Sequence, residues 1–231
     1  MRKFNAGQSL GEIPSEFFLE TNIPTSFENV KMIITARNSN KIILPINFVQ
    51  PLSKIIRCAI DDDEMELIAA MFRQFLGTSY LKMSVMVDKA SRVALMNQTL
   101  SVHKCRGGTC FSTVLANYVW EKPVSERPLT IIDILKVKVF ISHGGQEKAH
   151  YVWLAEVEWF SKSSQRFHFG YRCPLEVWAI DSEPYCSKSF IPLIRVTRRI
   201  CVTKKKNFSE DGFIGSDVVN CIVPIPIKSC F

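Results

Sequence analysis

The chain has 231 residues, of which 47% are hydrophobic and 11% aromatic, enough apolar material for the core of one or two domains. This composition excludes a chain that is disordered throughout. The formal charge is +7, yet residues 191–206 hold six Lys and Arg and no acid, so the remainder carries 7 − 6 = +1. The positive charge is therefore local, which is typical of a binding site.

The cellular compartment is indicated by what the sequence lacks. The first residues contain no apolar segment with a small-residue cleavage site, so no secretory signal is predicted, and no apolar run approaches the length of a membrane span. The eight Cys are scattered, several within apolar runs, which favours reduced and buried thiols; an extracellular disulfide framework is the alternative. We expect a protein of the nucleus or cytoplasm that is not secreted and contacts no membrane.

Residues 1–40 differ in composition from the rest of the chain. They mix Pro, Ser, Asn and Gly with scattered hydrophobic residues, and they follow neither a helical nor a strand period. We interpret them as a partly irregular extension or linker, joined to a single β-rich domain over residues 41–231. At the start of this domain, Pro45 interrupts the apolar run KIILPINFV, which favours an edge strand or an extended connector.

The clearest helix is predicted over residues 61–76. Acidic residues crowd its first turn, where the helix dipole favours them, and Gly77 follows as a stop signal. Five apolar residues fall on one face at helical spacing: Met65, Ile68, Met71, Phe72 and Phe75. The acidic triplet is interpreted as a helix cap rather than as a metal or catalytic cluster.

After Gly77 the hydrophobic period becomes that of strands. Residues 81–87, a turn at 88–91 and residues 92–96 predict a β-hairpin. Further strands are predicted at residues 111–120, 131–142, 150–160, 174–180, 190–203 and 218–227, separated by turn-rich segments such as 143–146 and 161–165. With one main helix and no βαβ rhythm, we expect a mainly β fold, an antiparallel barrel or sandwich of about seven to nine strands.

Three of the four Trp lie between residues 151 and 181. In the strand 150–160, alternation puts Tyr151, Trp153 and Trp159 on a face without acids, so both Trp are predicted to be core residues. In the strand 174–180, by contrast, Trp178 shares its face with Glu176 and is predicted to be exposed. Together with Phe160 and Tyr171, it is a candidate aromatic site for a peptide, including a methylated Lys held by cation–π contact.

The same region resembles two groups of proteins. Segments VEWF (157–160), CPLEVW (173–178), SFIPLIRV (189–196) and ICV (200–202), with the upstream YLKMSVMVDK (80–89), resemble the C-terminal β-rich region of uncharacterised transposon-derived proteins. The likeness covers roughly residues 60–228 and implies a mobile-element origin. Because the only acidic cluster is the helix cap, the chain lacks a carboxylate trio for strand transfer.

A more distant resemblance is to bromo-adjacent-homology (BAH) domains, which are β-rich chromatin modules. Trp159-Phe160, Glu176-Val177-Trp178 and residues 191–196 match their short strand motifs. The sequence departs from that pattern between residues 161 and 174, where QRFHF stands in place of the Arg-Pro-Glu-Glu-Thr type of segment. No role of that loop is therefore carried over.

The basic run is the candidate nucleic-acid site. Three Arg lie within the predicted strand 190–203 and three Lys follow at its end: Arg195, Arg198, Arg199, Lys204, Lys205 and Lys206. Alternation splits Arg198 and Arg199 between two faces, but a phosphate backbone is recognised by charge and tolerates such scatter. The alternatives are a charged edge strand protected from aggregation and a nuclear import signal.

No motif indicates catalysis, a metal or a cofactor. His103, Cys105 and Cys110 surround a Gly-Gly turn but provide fewer ligands than a structural zinc site needs. Neither a nucleophile motif nor a phosphate-binding Gly loop is present. We predict a non-enzymatic binding module of mobile-element origin that contacts nucleic acid or chromatin through the basic run; the alternative is a protein-interaction domain that binds a peptide around Trp178.

Overall fold

The computed structural model describes residues 49–95, 98–103, 112–168, 175–182, 184–208 and 214–224. The predicted extension over residues 1–40 and the run around Pro45 lie outside these residues. Within them, one α-helix and twelve β-strands are present. The prediction of a mainly β fold with one main helix is therefore confirmed.

The strands vary in length from three residues to 23. They are β1 (Val49–Pro51), β2 (Ile55–Ala59), β3 (Tyr80–Ala90), β4 (Arg92–Leu95), β5 (Gln98–Ser101), β6 (Thr113–Tyr118), β7 (Ser125–His143), β8 (Gln146–His168), β9 (Leu175–Ser182), β10 (Phe190–Pro192), β11 (Val196–Phe208) and β12 (Ile214–Pro224). Short 3-10 turns cover Gly77–Ser79, Ser187–Ser189 and Leu193–Arg195.

Helix α1 spans Asp62–Leu76, in agreement with the prediction for residues 61–76. The Asp61 carboxylate caps it by accepting a hydrogen bond of 2.7 Å from the Glu64 backbone N–H, and Gly77 ends it with a φ of 56°. The predicted apolar face is buried at Ile68, Met71 and Phe72. No helix in the described part of the chain has the length and hydropathy needed to span a membrane.

The strands form two antiparallel sheets. The small sheet has the order β1-β4-β5, and the large sheet has the order β10-β8-β9-β12-β11-β6-β7-β3-β2. Because β7 also pairs with β8, the pairings of six strands return to their start: β7, β6, β11, β12, β9 and β8. Strands β2 and β3 extend from β7 beside this circuit, and β10 pairs with β8.

Strands β7 and β8 form a long hairpin at the centre of the fold. Its turn, Gly144-Gly145, has φ angles of 59° and 79°, the combination that a two-residue type I′ turn requires. The register runs from His143 opposite Gln146 to Leu129 opposite Trp159. The turn predicted at residues 161–165 is wrong, because β8 continues to His168 and pairs irregularly with β9.

The predicted hairpin of residues 81–96 is also wrong. Strand β3 pairs with β2 and β7 in the large sheet, whereas β4 pairs with β1 and β5 in the small sheet. The chain bends at Ser91 and passes from one sheet to the other. The alternation of residues identified both strands correctly, but it holds no information on which neighbour each strand pairs with.

Two hydrophobic cores share β7 and β8. The first core joins the small sheet to β6, β7, β8 and the segment around β10; the second packs α1 against β3, β7 and β8. Alternation along β8 sends Trp153 and Ala155 to the first core and Val152 and Leu154 to the second. The predicted burial of Trp153 and Trp159 is confirmed, at 9% and 2% exposure.

Candidate nucleic-acid interface

The basic run divides between a buried turn and a strand. Arg195 belongs to the 3-10 turn Leu193–Arg195, and the other five basic residues belong to β11. The first residues of β11 pair with β6, up to Arg199 opposite Val114, and the residues from Ile200 onward pair with β12. The run is therefore not one uniform surface strand.

Arg195 is a core residue, and its predicted contact with nucleic acid at the surface is wrong. The side chain is 2% exposed, its guanidinium carbon lies 5.5 Å from the centre of the Phe75 ring, and burial lowers its pKa. A phosphate on the protein surface cannot reach it. The residues on either side, Ile194 and Val196, are buried as well.

Arg198 has the exposure that a phosphate contact needs. Its Nη2 lies 3.4 Å from Oε2 of Glu126, and the two side chains are 46% and 41% exposed. Exposed ion pairs of this kind contribute about 0–1 kcal/mol to stability. A phosphate can therefore replace Glu126 as the partner of Arg198 with little loss of free energy. Arg199, the next residue, is half-buried, in line with the predicted split of the two Arg.

The three Lys lie on the backbone ladder between β11 and β12. Lys204, Lys205 and Lys206 stand opposite Asn220, Val219 and Val218. Asn220 also pairs with β9, but Lys205 and Lys206 lie where β11 and β12 pair with each other and with no further strand among the described residues. We call this two-stranded stretch, Lys205–Phe208 with Ile214–Val219, the β11–β12 ribbon.

Trp178 is buried at 5% exposure, so the prediction that it is exposed is wrong. It packs with Leu115 and Ile200 in a small third cluster, and Phe160 is partly buried against the same cluster. Its neighbour Val177 is also buried. Tyr171 lies outside the described residues. The peptide site predicted around Trp178 therefore lacks the exposed indole on which it depended.

Aromatic side chains do cluster elsewhere, but around the protein's own cations. Tyr118, Trp120 and Trp159 contact one another edge to face, with ring centres 4.9–6.0 Å apart. The Arg127 guanidinium lies 3.7 Å from the Tyr118 ring centre and forms an ion pair with Glu121. Because this cluster already holds a cation and is largely buried, we interpret it as structural.

A surface that sequence reasoning missed combines lysines with aromatic rings on β3, β7 and β8. We call it the lysine–aromatic face, and its members are Lys82, Lys136, Lys138, Phe140 and Tyr151. Tyr151 is 41% exposed although alternation had assigned it to the apolar face of β8. The signal was present in the sequence KVKVF (136–140), where lysines and a Phe alternate with buried valines.

Contacts within this face are cation–π contacts. Lys136 Nζ lies 4.8 Å from the Tyr151 ring centre, and both Lys82 Nζ and Lys138 Nζ lie 5.1 Å from the Phe140 ring centre. The side chain of Lys82 is 62% exposed and lies 3.4 Å from Glu147. Cations and π faces thus alternate on an accessible part of the sheet.

A separate cluster of titratable groups lies at the margin of the second core. Lys89 Nζ lies 2.8 Å from Asp133 Oδ2, and Tyr185 is hydrogen-bonded to Glu156. Burial and neighbouring acids raise the pKa of Glu64 and of Glu156, while Lys89 partly offsets both shifts. Among the described residues, no group of three or more His, Cys, Asp or Glu has a geometry suited to a metal ion.

Compared with protein-family models, with curated proteins and with solved structures, the chain has no match. The resemblances to transposon-derived proteins and to BAH domains therefore stay predictions.

Proposed function

We propose that the chain is a nucleic-acid-binding module that contacts the phosphate backbone through β11. The observation that carries the proposal is the continuity of this strand, which leads from the exposed Arg198 to Lys204, Lys205 and Lys206 on the β11–β12 ladder. Residues 191–206 contain no acid, and the ion pair that Arg198 forms with Glu126 is exposed to solvent. Five basic residues on one strand form an electrostatic footprint suited to a polyanion.

The shape of the β11–β12 ribbon supports this role. The major groove of B-form DNA is wide enough to admit a two-stranded β-ribbon. Lysines can then contact phosphates on either side of the groove. These contacts need no fixed register between the protein and the DNA, because they depend on charge and not on base sequence. The alternative is that the basic residues protect an exposed sheet edge from aggregation. This alternative fits Arg198 less well, because β11 is paired with β6 at that position.

The proposal concerns binding alone, with no catalytic step and no cofactor. It keeps the mobile-element origin that the resemblance implies and the expected location in the nucleus or cytoplasm. Chromatin is an equivalent partner for a module of this type, because the wrapped DNA presents the same phosphate backbone.

Salt-dependent binding to DNA tests the proposal. Fluorescence anisotropy with a labelled duplex would compare the wild type with Lys205→Gln/Lys206→Gln across a salt series. We expect weaker binding by the variant and a slope of log K against log salt that is smaller by about 2, because each lysine that neutralises a phosphate contributes about one unit.

A matched control removes the same charge from another surface. Lys54 and Lys148 are both exposed, so Lys54→Gln/Lys148→Gln changes the net charge by the same amount without touching β11. This control should bind like the wild type. Equally weakened binding in the two double variants, or no salt-sensitive binding by the wild type, would contradict the proposal.

A further inference from the structure

In the lysine–aromatic face, the rings of Tyr151 and Phe140 belong to residues that are farther apart than the stacked bases of duplex DNA. Tyr151 on β8 stands opposite Lys138 on β7, and Phe140 stands opposite Ala149, so the two aromatic residues are diagonal neighbours across the strand pair. Diagonal neighbours in an antiparallel pair are about 7–8 Å apart. Successive bases in a stacked strand are only about 3.4 Å apart.

We propose that this face binds single-stranded nucleic acid, with one base stacked on Phe140 and another on Tyr151. Two aromatic rings about 7–8 Å apart can each stack on a base only if the two bases are not stacked on each other. A single strand allows this separation. In a duplex, the flat faces of the bases are covered by their neighbours and the rings have nothing to stack on. The ligand class is therefore a single strand of DNA or RNA of any sequence.

The lysines complete the site. Lys136 lies over the ring of Tyr151, and Lys82 and Lys138 lie over the ring of Phe140. A base stacked on an aromatic side chain is bound more strongly than an exposed cation–π contact, so an arriving base displaces the ammonium group from the ring. The displaced lysine keeps its position beside the ring, where the phosphates of the bound strand run.

The charge of the surrounding sheet is also favourable. Cations of this part of the sheet outnumber its carboxylates, because Arg57, Lys82, Lys136 and Lys138 face two acids, Asp88 and Glu147. Glu147 is engaged with Lys82, and Asp88 lies between Arg57 and Lys136 in register. On β3, Val85 and Met86 are exposed and lie in the register shift between Met83 and Val87, where they add apolar surface.

This site goes beyond the proposed function, because none of its residues belongs to β11 and its ligand is a single strand. The test uses the full chain and a labelled oligothymidylate of about 16 nucleotides, with a labelled duplex alongside. We expect Tyr151→Ala and Phe140→Ala each to raise the Kd for the oligothymidylate about fivefold to 100-fold, the effect of removing one stacked base, and to leave the Kd for the duplex unchanged.

Two conservative variants separate stacking from folding. Tyr151→Phe keeps the ring and should bind the oligothymidylate like the wild type, and Val124→Ala, at a site that is 55% exposed and outside the face, should have no effect. The charge variant Lys138→Gln should weaken single-strand binding about twofold to tenfold and lower its salt dependence. Circular dichroism confirms that each variant is folded.

The outcomes distinguish the two proposals. If the ring variants lose single-strand binding while Lys205→Gln/Lys206→Gln retains it, the inference holds whether or not the duplex is bound. If single-strand affinity is unchanged in both ring variants, the inference is overturned and the β11 proposal is untouched. A change of oligomeric mass in Tyr151→Ala without a change in single-strand affinity would also overturn it, since the face would then be an interface between copies of the chain.

Discussion

The environment of the Glu64 carboxyl group disfavours its charged form. Its Oε1 is buried without a hydrogen-bond donor among the described residues, and Glu156, Asp61 and Asp133 add negative charge nearby. Burial is the main reason that its pKa is raised. The folded state then holds the proton more tightly than the unfolded state does, so this contribution to stability is fully present below the unfolded pKa of 4.5 and is lost as pH rises through the folded pKa.

The sign of this effect predicts that Glu64→Gln stabilises the protein at neutral pH. We expect a gain on the order of 0.5 kcal/mol at pH 7, after allowance for partial exposure, and little or no gain near pH 4. Urea unfolding at the two pH values measures it. Glu66→Gln is the control, because Glu66 lies on the same helix and is exposed. Identical pH profiles for the two variants would disprove the role given to Glu64.

Arg195 and Arg198 are three residues apart but lie in different environments, one buried and one exposed. We expect Arg195→Ala to lower the free energy of unfolding by about 2–4 kcal/mol and to leave the salt slope of DNA binding unchanged. Arg198→Ala should do the reverse, with a stability change within about 0.5 kcal/mol and a slope smaller by about 1. Thermal unfolding and salt titration of both variants check this, and a lower slope in folded Arg195→Ala would refute it.

Whether the burial of a strand residue could be predicted from the sequence depends on whether one face of its strand or both faces are covered. Trp153 and Trp159 were predicted correctly because one face of their strand carries no acid. Trp178 was not, since it and the adjacent Val177 lie on opposite faces of the strand and both are buried. Arg195 was assigned to the nucleic-acid site because of its charged neighbours, although the apolar residues of Leu193-Ile194-Arg195-Val196 indicate burial.

Elements with strong local signals could be predicted from the sequence. Helix α1 combines an Asp cap, an apolar face and a Gly stop, so its bounds were correct within a residue. The turn Gly144-Gly145 was located in the same way. Strand partners were not predicted, because pairing is decided by distant residues, as the wrong hairpin of β3 and β4 shows. The register shift between Ile131 and Asp133 in β7 likewise has no signature in the sequence.

The turn of the β7–β8 hairpin gives a prediction at the element scale. Gly145 has a φ of 79° with no atom near its missing side chain, so Gly145→Ala should be costly through backbone strain alone. We expect a decrease in the free energy of unfolding of about 1 kcal/mol or slightly more, measured by denaturant unfolding. Ser142→Ala next to the turn is the control. A decrease no larger than that of the control would show that the turn adopts another conformation in solution.

At the scale of the whole molecule, the two cores share strands and cannot unfold separately. Leu100 lies in the first core and Phe72 in the second, and both are fully buried. We expect Leu100→Ala to cost about 2–5 kcal/mol and Phe72→Ala about 3–5 kcal/mol, each shifting one common transition. Far-ultraviolet circular dichroism and Trp fluorescence should give coincident curves. Two separated transitions in either variant would contradict this coupling.

The circuit of six strands also has a consequence for a chain that is still being synthesised. The β7–β8 hairpin needs only its own two-residue turn and can pair as soon as it leaves the ribosome. Closing the circuit, however, needs β11 against β6, with Val196 opposite Ala116, and β12 against β9. The edge of β6 stays open until Arg199 has been made, and the edge of β9 stays open until Ile222 has been made. During these intervals the open edges can pair with other nascent chains, which favours aggregation.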